Sequence, residues 1–335
     1  MHEFSVIGGT TARAVIASSR QAIVDLVRDT YLTHEAGDTV NPDSYFLRFP
    51  DKPDARIIAL PAHIGGGTDV SGIKWISSFP ANIERGIPRA SAALLLNDYT
   101  TGQPFACLEA SQISAARTAA SAVLAAETLT GGRTAGKLTV VGAGIIARNI
   151  VEFFTARGWD IGSLCVHDRN EEYAAALAAH ATDALGLAAT TGPALDAALS
   201  GADVVVLATT APEPYLTDPD TFAPGQVVLN ISLRDIGPEL IEGAYNVLDD
   251  VDHCLKANTS PHLAEQKYGD RHFVTGTLAQ VINGEVAAGR DKPVIFSPFG
   301  LGVLDLAVGL HVLRAARAAG EAVEIPDFFG ETTRW

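Results

Sequence analysis

The run Lys137-Leu138-Thr139-Val140-Val141-Gly142-Ala143-Gly144-Ile145-Ile146-Ala147 joins a short apolar strand directly to a glycine turn and a helix. Gly142 permits the tight turn, Gly144 lets backbone amides approach a pyrophosphate, and Ala147 lets the helix pack closely on the sheet. The positive end of the helix then favours the phosphate charge. The stretch predicts a Rossmann domain whose dinucleotide site includes Gly142, Ala143, Gly144, Ile145 and Ile146; the alternative is a glycine turn that binds no nucleotide.

The end of the next predicted strand indicates which dinucleotide is bound. Asp168 follows the apolar run 164–167. A carboxylate at this position accepts hydrogen bonds from the adenosine ribose hydroxyls and repels a 2′-phosphate, which favours NAD over NADP. Arg169 weakens this preference slightly, since an arginine there can bind a 2′-phosphate or lie over the adenine. We therefore expect NAD, with Asp168 and Arg169 beside the adenosine.

Two further loops are expected to border the cofactor. Thr209 and Thr210 follow the predicted strand 204–208, and in this topology the loop after such a strand lies beside the dinucleotide. A simple helix-start turn explains the two threonines equally well. Ser232, which follows the predicted strand 227–231, is assigned to the same cofactor-binding group.

Around this motif the pattern predicts a two-domain α/β protein. From residue 137 onward apolar strands alternate with helices, at 145–157, 170–185 and 193–200, as in a parallel sheet buried on both faces. Short β-prone runs between 43 and 110 indicate instead an α+β domain with an antiparallel sheet, flanked by helices at 18–36 and 112–129. The apolar helix at about 303–320 is expected to return to this first domain. We place the Rossmann domain at 126–304 and the α+β domain at 1–125 with about 305–335.

Charge and composition exclude several classes of function. Lys and Arg number 24 against 39 Asp and Glu, a net charge of −15, which argues against nucleic-acid or anionic-membrane surfaces because both need basic stripes. The alternative meaning of the charge is simple solubility. No signal peptide and no uncharged apolar run of about 18 residues is visible, so a cytoplasmic protein is expected. The histidines lack the spacing of a zinc site, so no metal is expected.

Four cationic residues lie in apolar or small-residue runs, where a charge is costly unless it is paired or faces a cleft. They are Lys74, Arg48, Arg117 and Arg89. Each alone is more often a surface residue or a member of an ion pair. Together, beside a nicotinamide site, they suggest recognition of carboxylates.

Asp235 is the candidate catalytic acid–base group. It follows an apolar strand, and the carboxyl ends of parallel strands are where such folds carry their catalytic groups. An Asp that only caps the segment before Pro238 is an equal alternative.

These residues resemble a known family. Gly72-Ile73-Lys74, the helix 113–120 containing Arg117-Thr118-Ala119-Ala120, the glycine turn and the Asp235 segment occur in the order typical of the ornithine cyclodeaminase/mu-crystallin family. The resemblance covers essentially the whole chain. It implies a homodimer whose first domain provides dimerisation and substrate binding, a Rossmann domain that binds NAD, and a C-terminal helix that returns to the first domain.

Within that family the segment Lys74-Trp75-Ile76-Ser77-Ser78-Phe79-Pro80-Ala81-Asn82-Ile83, with Arg89-Ala90-Ser91-Ala92, is similar to the 2,3-diaminopropionate-forming dehydrogenases of siderophore and peptide-antibiotic pathways. Those enzymes oxidise N-(1-amino-1-carboxy-2-ethyl)-glutamate with NAD and hydrolyse it to 2,3-diaminopropionate and 2-oxoglutarate. The cyclodeaminases carry an acidic residue in the region of 57–61, which is absent here, and this disfavours ornithine.

The resemblance also implies roles for individual residues. Lys74 and Arg117 would hold the α-carboxylate with help from Arg48, and Asp235 would accept the amine proton or activate water, with Lys74 and Asp235 as the catalytic pair. From their charge and polarity, Ser78, Asn82 and Arg89 are candidates for a further carboxylate.

Other functions remain as alternatives. Within the family these are ornithine cyclodeamination, alanine dehydrogenation and cyclic ketimine reduction. A crystallin-like protein that binds nicotinamide without turnover belongs to another class. The joint presence of Lys74, Arg117 and Asp235 argues against it, because a pure binder needs no proton acceptor beside the nicotinamide.

Overall fold

The computed structural model describes residues 4–330 of the chain and divides them into two compact units. Unit 1 contains the residues up to Arg117 together with those from Leu301 onward, and unit 2 is Thr118–Gly300. The sequence-based boundaries at 125 and 304 lie somewhat further along the chain. No helix within 4–330 is long and apolar enough to cross a membrane.

Within residues 4–330 the strands are, in chain order, β1 (Phe4–Ile7), β2 (Thr39–Val40), β3 (Tyr45–Phe49), β4 (Lys52–Ile64), β5 (Val70–Ser78), β6 (Ala90–Asp98), β7 (Pro104–Glu109), β8 (Thr134–Val141), β9 (Asp160–His167), β10 (Ala189–Thr191), β11 (Val204–Leu207), β12 (Val227–Asn230), β13 (Tyr245–Leu248), β14 (Val274–Thr277), β15 (Val294–Ser297) and β16 (Val323–Ile325). The α-helices are α1 (Gly9–Glu35), α2 (Ser111–Thr130), α3 (Ile145–Ala156), α4 (Glu171–Leu185), α5 (Leu195–Leu199), α6 (Pro238–Glu242), α7 (Val251–Cys254), α8 (Ser260–Tyr268), α9 (Leu278–Ile282) and α10 (Gly302–Ala318). A 3₁₀ helix spans Pro80–Arg85.

Unit 1 is built on one mixed sheet in the order β16-β1-β7-β6-β5-β4-β2, with β3 also paired to β4. Strands β3 to β7 are antiparallel, as predicted, and the β6–β7 hairpin turns at 99–103. The exception is β1, which the sequence analysis did not identify and which runs parallel to β7.

Helix α10 belongs to unit 1. It packs against β4, β5, β6 and α1, and 12 of its 17 residues are buried. The approach to the sheet is so close that a Cβ at Gly309 would overlap the Leu94 side chain. The first turn begins where Asn41 Oδ1 accepts hydrogen bonds from the amides of Gly302 (2.8 Å) and Val303 (3.4 Å). These contacts fix the position of the charged residue in that turn, Asp305.

Unit 2 is a doubly wound α/β domain around an all-parallel sheet in the order β10-β9-β8-β11-β12-β15-β13-β14. The strand order reverses direction at β8, so the loops after β8 and β11 meet at the switch point where such sheets bind ligands. Each of the strands β11, β12 and β15 has four residues, and all of them are buried. This burial explains why apolar and polar residues do not alternate along these strands. The predicted fold class is therefore confirmed.

Candidate active site

The glycine turn of unit 2 has the backbone that a dinucleotide loop requires. Gly142 has φ +92°, and a Cβ there would lie 2.5 Å from the carbonyl oxygen of Ala208. The amide of Gly142 donates to His167 O (2.8 Å), and the amide of Ala208 donates to Val141 O (2.8 Å). The turn is thus held between the ends of β9 and β11, and only glycine fits at position 142.

The helix that follows presents an uncapped N-terminus. Gly144 is the N-cap residue of α3 and has no side chain to accept hydrogen bonds from the first turn. A Cβ on Gly144 would meet nothing within 4 Å, whereas Ala147 is fully buried. The space in front of the helix is therefore open, and its amides suit the charge of a pyrophosphate.

Asp168 lies beside this turn. Its carboxylate accepts the amide of Ala143 (2.7 Å) through one oxygen and that of Asn170 (2.8 Å) through the other. Each carboxylate oxygen has a second lone pair, so ribose hydroxyls remain possible donors to the group. Arg169 is exposed on the same loop. These residues fit a bound dinucleotide with an unphosphorylated ribose.

A matched pair of alanine variants separates folding from cofactor binding at this turn. Gly142→Ala should lower the melting temperature, since its Cβ overlaps Ala208 O at a positive φ. Gly144→Ala should melt like the wild type but bind NAD at least about tenfold more weakly, because its methyl group enters the open space. Thermal denaturation and calorimetric titration with NAD measure the two effects. Equal NAD affinity in Gly144→Ala and wild type would contradict the assignment.

Asp235 is buried, with 0% of the residue exposed, in the loop after β12. Thr209 Oγ1 donates to both carboxylate oxygens (2.7 and 2.8 Å), and the Tyr215 hydroxyl donates to one of them (3.0 Å). The loop holds Leu233 at φ +63°, an uncommon conformation for a branched side chain and one often found near functional sites. The N-cap residue of α6 is Gly237, and the carboxylate of Asp235 accepts hydrogen bonds from side-chain hydroxyls instead.

Burial raises the pKa of Asp235, and the hydroxyls of Ser232, Thr209 and Tyr215 oppose this effect without cancelling it. A raised pKa brings the carboxylate nearer to the range in which a general base exchanges protons efficiently. Tyr215, which sequence analysis missed, is partly exposed, and burial followed by the charge of Asp235 raises its pKa, so it stays protonated as a donor. No local sequence pattern around Tyr215 indicates this contact.

The remaining residues assigned to the cofactor lie on the loops expected. Thr209 is engaged with Asp235, and its Oγ1 also accepts the amide of Ala211 (3.2 Å). Thr210 is exposed. Ser232 follows β12 directly, and its amide donates to Leu207 O (3.0 Å), which ties its loop to the end of β11. Ile145, the first residue of α3, is 54% exposed and Ile146 is half-buried.

Unit 1 contains a buried cluster of two cations and one carboxylate. Lys74, on β5, is 1% exposed, and its Nζ donates to Asp305 Oδ2 (2.6 Å). Arg117 Nε, on α2, donates to the other oxygen of Asp305 (3.2 Å). Both cations also lie near Ser114 Oγ, at 3.2 Å from Lys74 and 3.5 Å from Arg117. The cluster keeps an excess of one positive charge, which suits a single carboxylate.

The charge of Lys74 depends on its surroundings. The pKa of Lys74 is lowered to about 8, chiefly by burial; the nearby carboxylate of Asp305 opposes this effect and the charge of Arg117 adds to it. Asp305 was not identified from the sequence. The sequence nevertheless contains an indication of its role, because Asp305 is the only acidic residue in the apolar run 299–313.

A second cationic position lies further along the same face of the sheet. Ser78 and Lys74 lie four residues apart on β5. Their side chains therefore point to the same face of the sheet, about 13 Å apart along the strand. Arg89 Nε donates to Ser78 Oγ (3.3 Å), and no carboxylate within 4–330 forms an ion pair with it. Burial lowers the pKa of Arg89, as expected for a cation without a counter-ion.

Arg48 and Asn82 have surroundings different from those of Lys74. Arg48 on β3 pairs with Arg56 on β4, and Arg56 pairs with Ser78 on β5. Arg48 and Ser78 therefore lie in the same row across the sheet. It is exposed and lies over the Phe46 ring, 5.0 Å from the centroid. The side-chain amide of Asn82 donates to Pro88 O (3.3 Å), a hydrogen bond that closes the loop containing both residues.

Within 4–330 no group of three or more His, Cys, Asp or Glu residues is arranged to hold a metal ion.

Comparison with known proteins identifies relatives over most of the chain. The family model of the ornithine cyclodeaminase/mu-crystallin family matches residues 11–319. The N-((2S)-2-amino-2-carboxyethyl)-L-glutamate dehydrogenase of Staphylococcus aureus is 30% identical over 309 residues, which are 89% of this chain and 90% of the relative.

Two solved structures have the same fold. The Δ1-pyrroline-2-carboxylate reductase of Thermococcus litoralis, in complex with NADH and L-proline, superposes with a TM-score of 0.88 at 21% identity, covering 96% of this chain and 100% of that chain. An archaeal alanine dehydrogenase dimer with bound NAD has a TM-score of 0.86 at 24% identity, covering 97% and 100%.

Proposed function

We propose that this chain, which belongs to the ornithine cyclodeaminase/mu-crystallin family, oxidises N-(1-amino-1-carboxy-2-ethyl)-glutamate with NAD and releases 2,3-diaminopropionate and 2-oxoglutarate. The relative from S. aureus, whose name specifies the same compound, supports this substrate. The chain is an oxidoreductase and its cofactor is NAD, which the glycine turn and Asp168 of unit 2 would hold. Formation of 2-oxoglutarate by purified protein supplied with this compound and NAD tests the proposal.

Each step of the proposed reaction is assigned to individual side chains. Lys74 and Arg117 of unit 1 bind and orient the α-carboxylate of the glutamate part, and Asp235 of unit 2 accepts the proton of the secondary amine. The acceptor for the hydride of the glutamate Cα would be supplied by NAD held at the glycine turn of unit 2. Asp235 releases this proton to solvent and, ionised again, takes a proton from the water that adds to the resulting C=N bond. It returns this proton to the nitrogen as the C–N bond breaks, which gives the amine and the keto acid. The overall change consumes one NAD and one water and yields one NADH and one proton.

The observation that carries the substrate assignment is the environment of Arg89. It is half-buried, it contacts Ser78, and no carboxylate within residues 4–330 is its ion-pair partner. The substrate has three carboxylates, so one beyond the α-carboxylate can fill this position. The ornithine side chain would instead bring an ammonium group towards a guanidinium, which is unfavourable. The geometry therefore favours an anionic substrate tail.

Arg89→Met should raise KM for the proposed substrate by about 10- to 100-fold, which corresponds to the loss of one charge-assisted hydrogen bond. The analogue with a γ-carboxamide in the glutamate part should be a poor substrate for wild type. Its KM should rise little further in Arg89→Met. Steady-state kinetics with both compounds measure this, and Arg85→Met, an exposed arginine of the adjoining 3₁₀ helix, is the control. An equal loss with both compounds would refute the carboxylate contact.

We propose further that the chain forms a homodimer through the outer face of the unit 1 sheet, opposite α10. Tyr45, Ala59, Trp75 and Ala93 form one row across β3, β4, β5 and β6, with Tyr45 69% and Trp75 45% exposed. An apolar row of this kind on a monomer is a usual sign of association. Sedimentation equilibrium at the single-chain mass of 35.1 kDa would exclude the dimer.

A further inference from the structure

Asp305 occupies the centre of the cationic cluster of unit 1. It is 0% exposed, and each of its oxygens binds a different cation, Oδ2 with Lys74 and Oδ1 with Arg117. Asn41 fixes the start of the helix that carries it, and a negative charge in a first helical turn is itself stabilised. The position of the carboxylate is therefore fixed both by the helix that carries it and by its two cationic partners.

We infer that Asp305 is a positioning residue for the proposed reaction, which keeps Lys74 charged and orients Lys74 and Arg117 around a single substrate carboxylate. The inference rests on the proposed function for the identity of that substrate. Its structural part, the coupling of Asp305 to Lys74, stands on the contacts within unit 1 alone.

The charge balance explains why such a residue is needed. Two buried cations side by side repel each other, and burial itself favours the neutral lysine. The charged groups that act on Lys74 within residues 4–330 are Asp305 from α10 and Arg117 from α2, and only Asp305 favours the ammonium form. Without Asp305 the cluster would present a neutral lysine and a single guanidinium to the substrate.

The geometry explains the limit to one carboxylate. Asp305 uses one donor of each cation, which leaves further N–H groups of Lys74 and Arg117 for a ligand. One excess positive charge remains, and one carboxylate neutralises it. A second anion at the same position would be repelled by Asp305, so the remaining carboxylates of the substrate must bind elsewhere.

Two substitutions separate charge from geometry. Asp305→Asn removes the charge, and KM should rise about tenfold or more at neutral pH. For wild type, KM should begin to rise near pH 8, where Lys74 loses its proton. For Asp305→Asn the rise should begin at lower pH. Asp305→Glu keeps the charge but displaces it, so KM should rise while its pH dependence stays like that of wild type.

The background variant Lys74→Arg tests the coupling, because arginine stays protonated throughout this range. In this background KM should show no rise near pH 8, and Asp305→Asn should not introduce one, whereas a purely structural role would affect both backgrounds alike. If Asp305→Asn does not fold, Asp305→Glu decides, and a wild-type KM for that variant would overturn the inference. A wild-type pH dependence of KM for a folded Asp305→Asn would overturn it as well.

Thermal denaturation from pH 7 to 11 tests the coupling without any substrate. The folded pKa of Lys74, about 8, lies below the ordinary lysine value of 10.5. The unfolded chain therefore binds more protons between these two values, and this group makes stability rise with pH there. The rise should begin at lower pH in Asp305→Asn and be absent in Lys74→Met. Denaturation curves with these shifts and no turnover of the proposed substrate would retain the inference about Asp305 and reject the proposed function. Identical curves for Asp305→Asn and wild type would reject the inference itself.

Discussion

Asp235→Asn is expected to lower kcat by about 10²- to 10⁴-fold, the usual contribution of a general base. The amide has the same shape and can still accept hydrogen bonds from Thr209 and Tyr215 through its oxygen, but it cannot take up a proton. The fold and the NAD site should therefore be retained. Stopped-flow measurement of NADH formation together with NAD titration distinguishes the lost proton transfer from lost binding.

A matched control and a pH profile complete this test. Asp220→Asn changes an exposed aspartate of the same unit and should have wild-type kcat. Wild-type kcat/KM should fall as pH drops through the raised pKa of Asp235, because only the ionised carboxylate is a base. Tyr215→Phe removes a hydrogen bond that lowers this pKa, so the fall should occur at higher pH. Wild-type kcat in Asp235→Asn would remove Asp235 from the chemistry.

Lys74→Met should lower kcat/KM by about 10²-fold or more, mostly through KM. The substitution removes a buried charged donor to the substrate carboxylate, and such hydrogen bonds contribute about 1.5–3 kcal/mol each. It also leaves Asp305 with Arg117 as its one ion-pair partner within residues 4–330, so the melting temperature should fall. Steady-state kinetics and thermal denaturation of the same preparation measure both effects.

Lys52→Met is the control for this second variant, since Lys52 is an exposed lysine of the same sheet. Its kinetics and melting temperature should match those of wild type. An unchanged KM in folded Lys74→Met would show that the carboxylate binds elsewhere.

The architecture was predictable wherever apolar residues follow a clear pattern. The glycine turn after β8, the buried strands β11, β12 and β15 and the apolar helix α10 are all recognisable from local sequence. Strands β10, β13 and β14 were missed because they have only three or four residues, several of them polar or glycine. Their partners in the parallel sheet are distant in sequence, so local patterns contain little information about the pairing.

The site was predictable to the extent that single residues signal their own chemistry. Burying the charged side chain of Lys74 within a strand, or of Asp235 directly after one, costs free energy unless the charge has a partner or a function. Both residues could therefore be identified as candidates from the sequence. Asp305 and Tyr215 act through partners that only the tertiary fold brings near, at 231 residues from Lys74 and 20 from Asp235. The register of β3 and β4, which aligns Arg48 with Ser78, likewise depends on a hairpin with an irregularity near Phe49.

The central claim, coupled oxidation and hydrolysis of one substrate, is tested most directly by its stoichiometry. Purified protein is supplied with NAD and N-(1-amino-1-carboxy-2-ethyl)-glutamate, with ornithine and alanine in parallel reactions, and NADH absorbance, 2-oxoglutarate and 2,3-diaminopropionate are quantified together. We expect equal amounts of NADH and both products with the first compound and none with the other two. Proline formed from ornithine at constant NADH, with no reaction of the first compound, would contradict the account and indicate a cyclodeaminase.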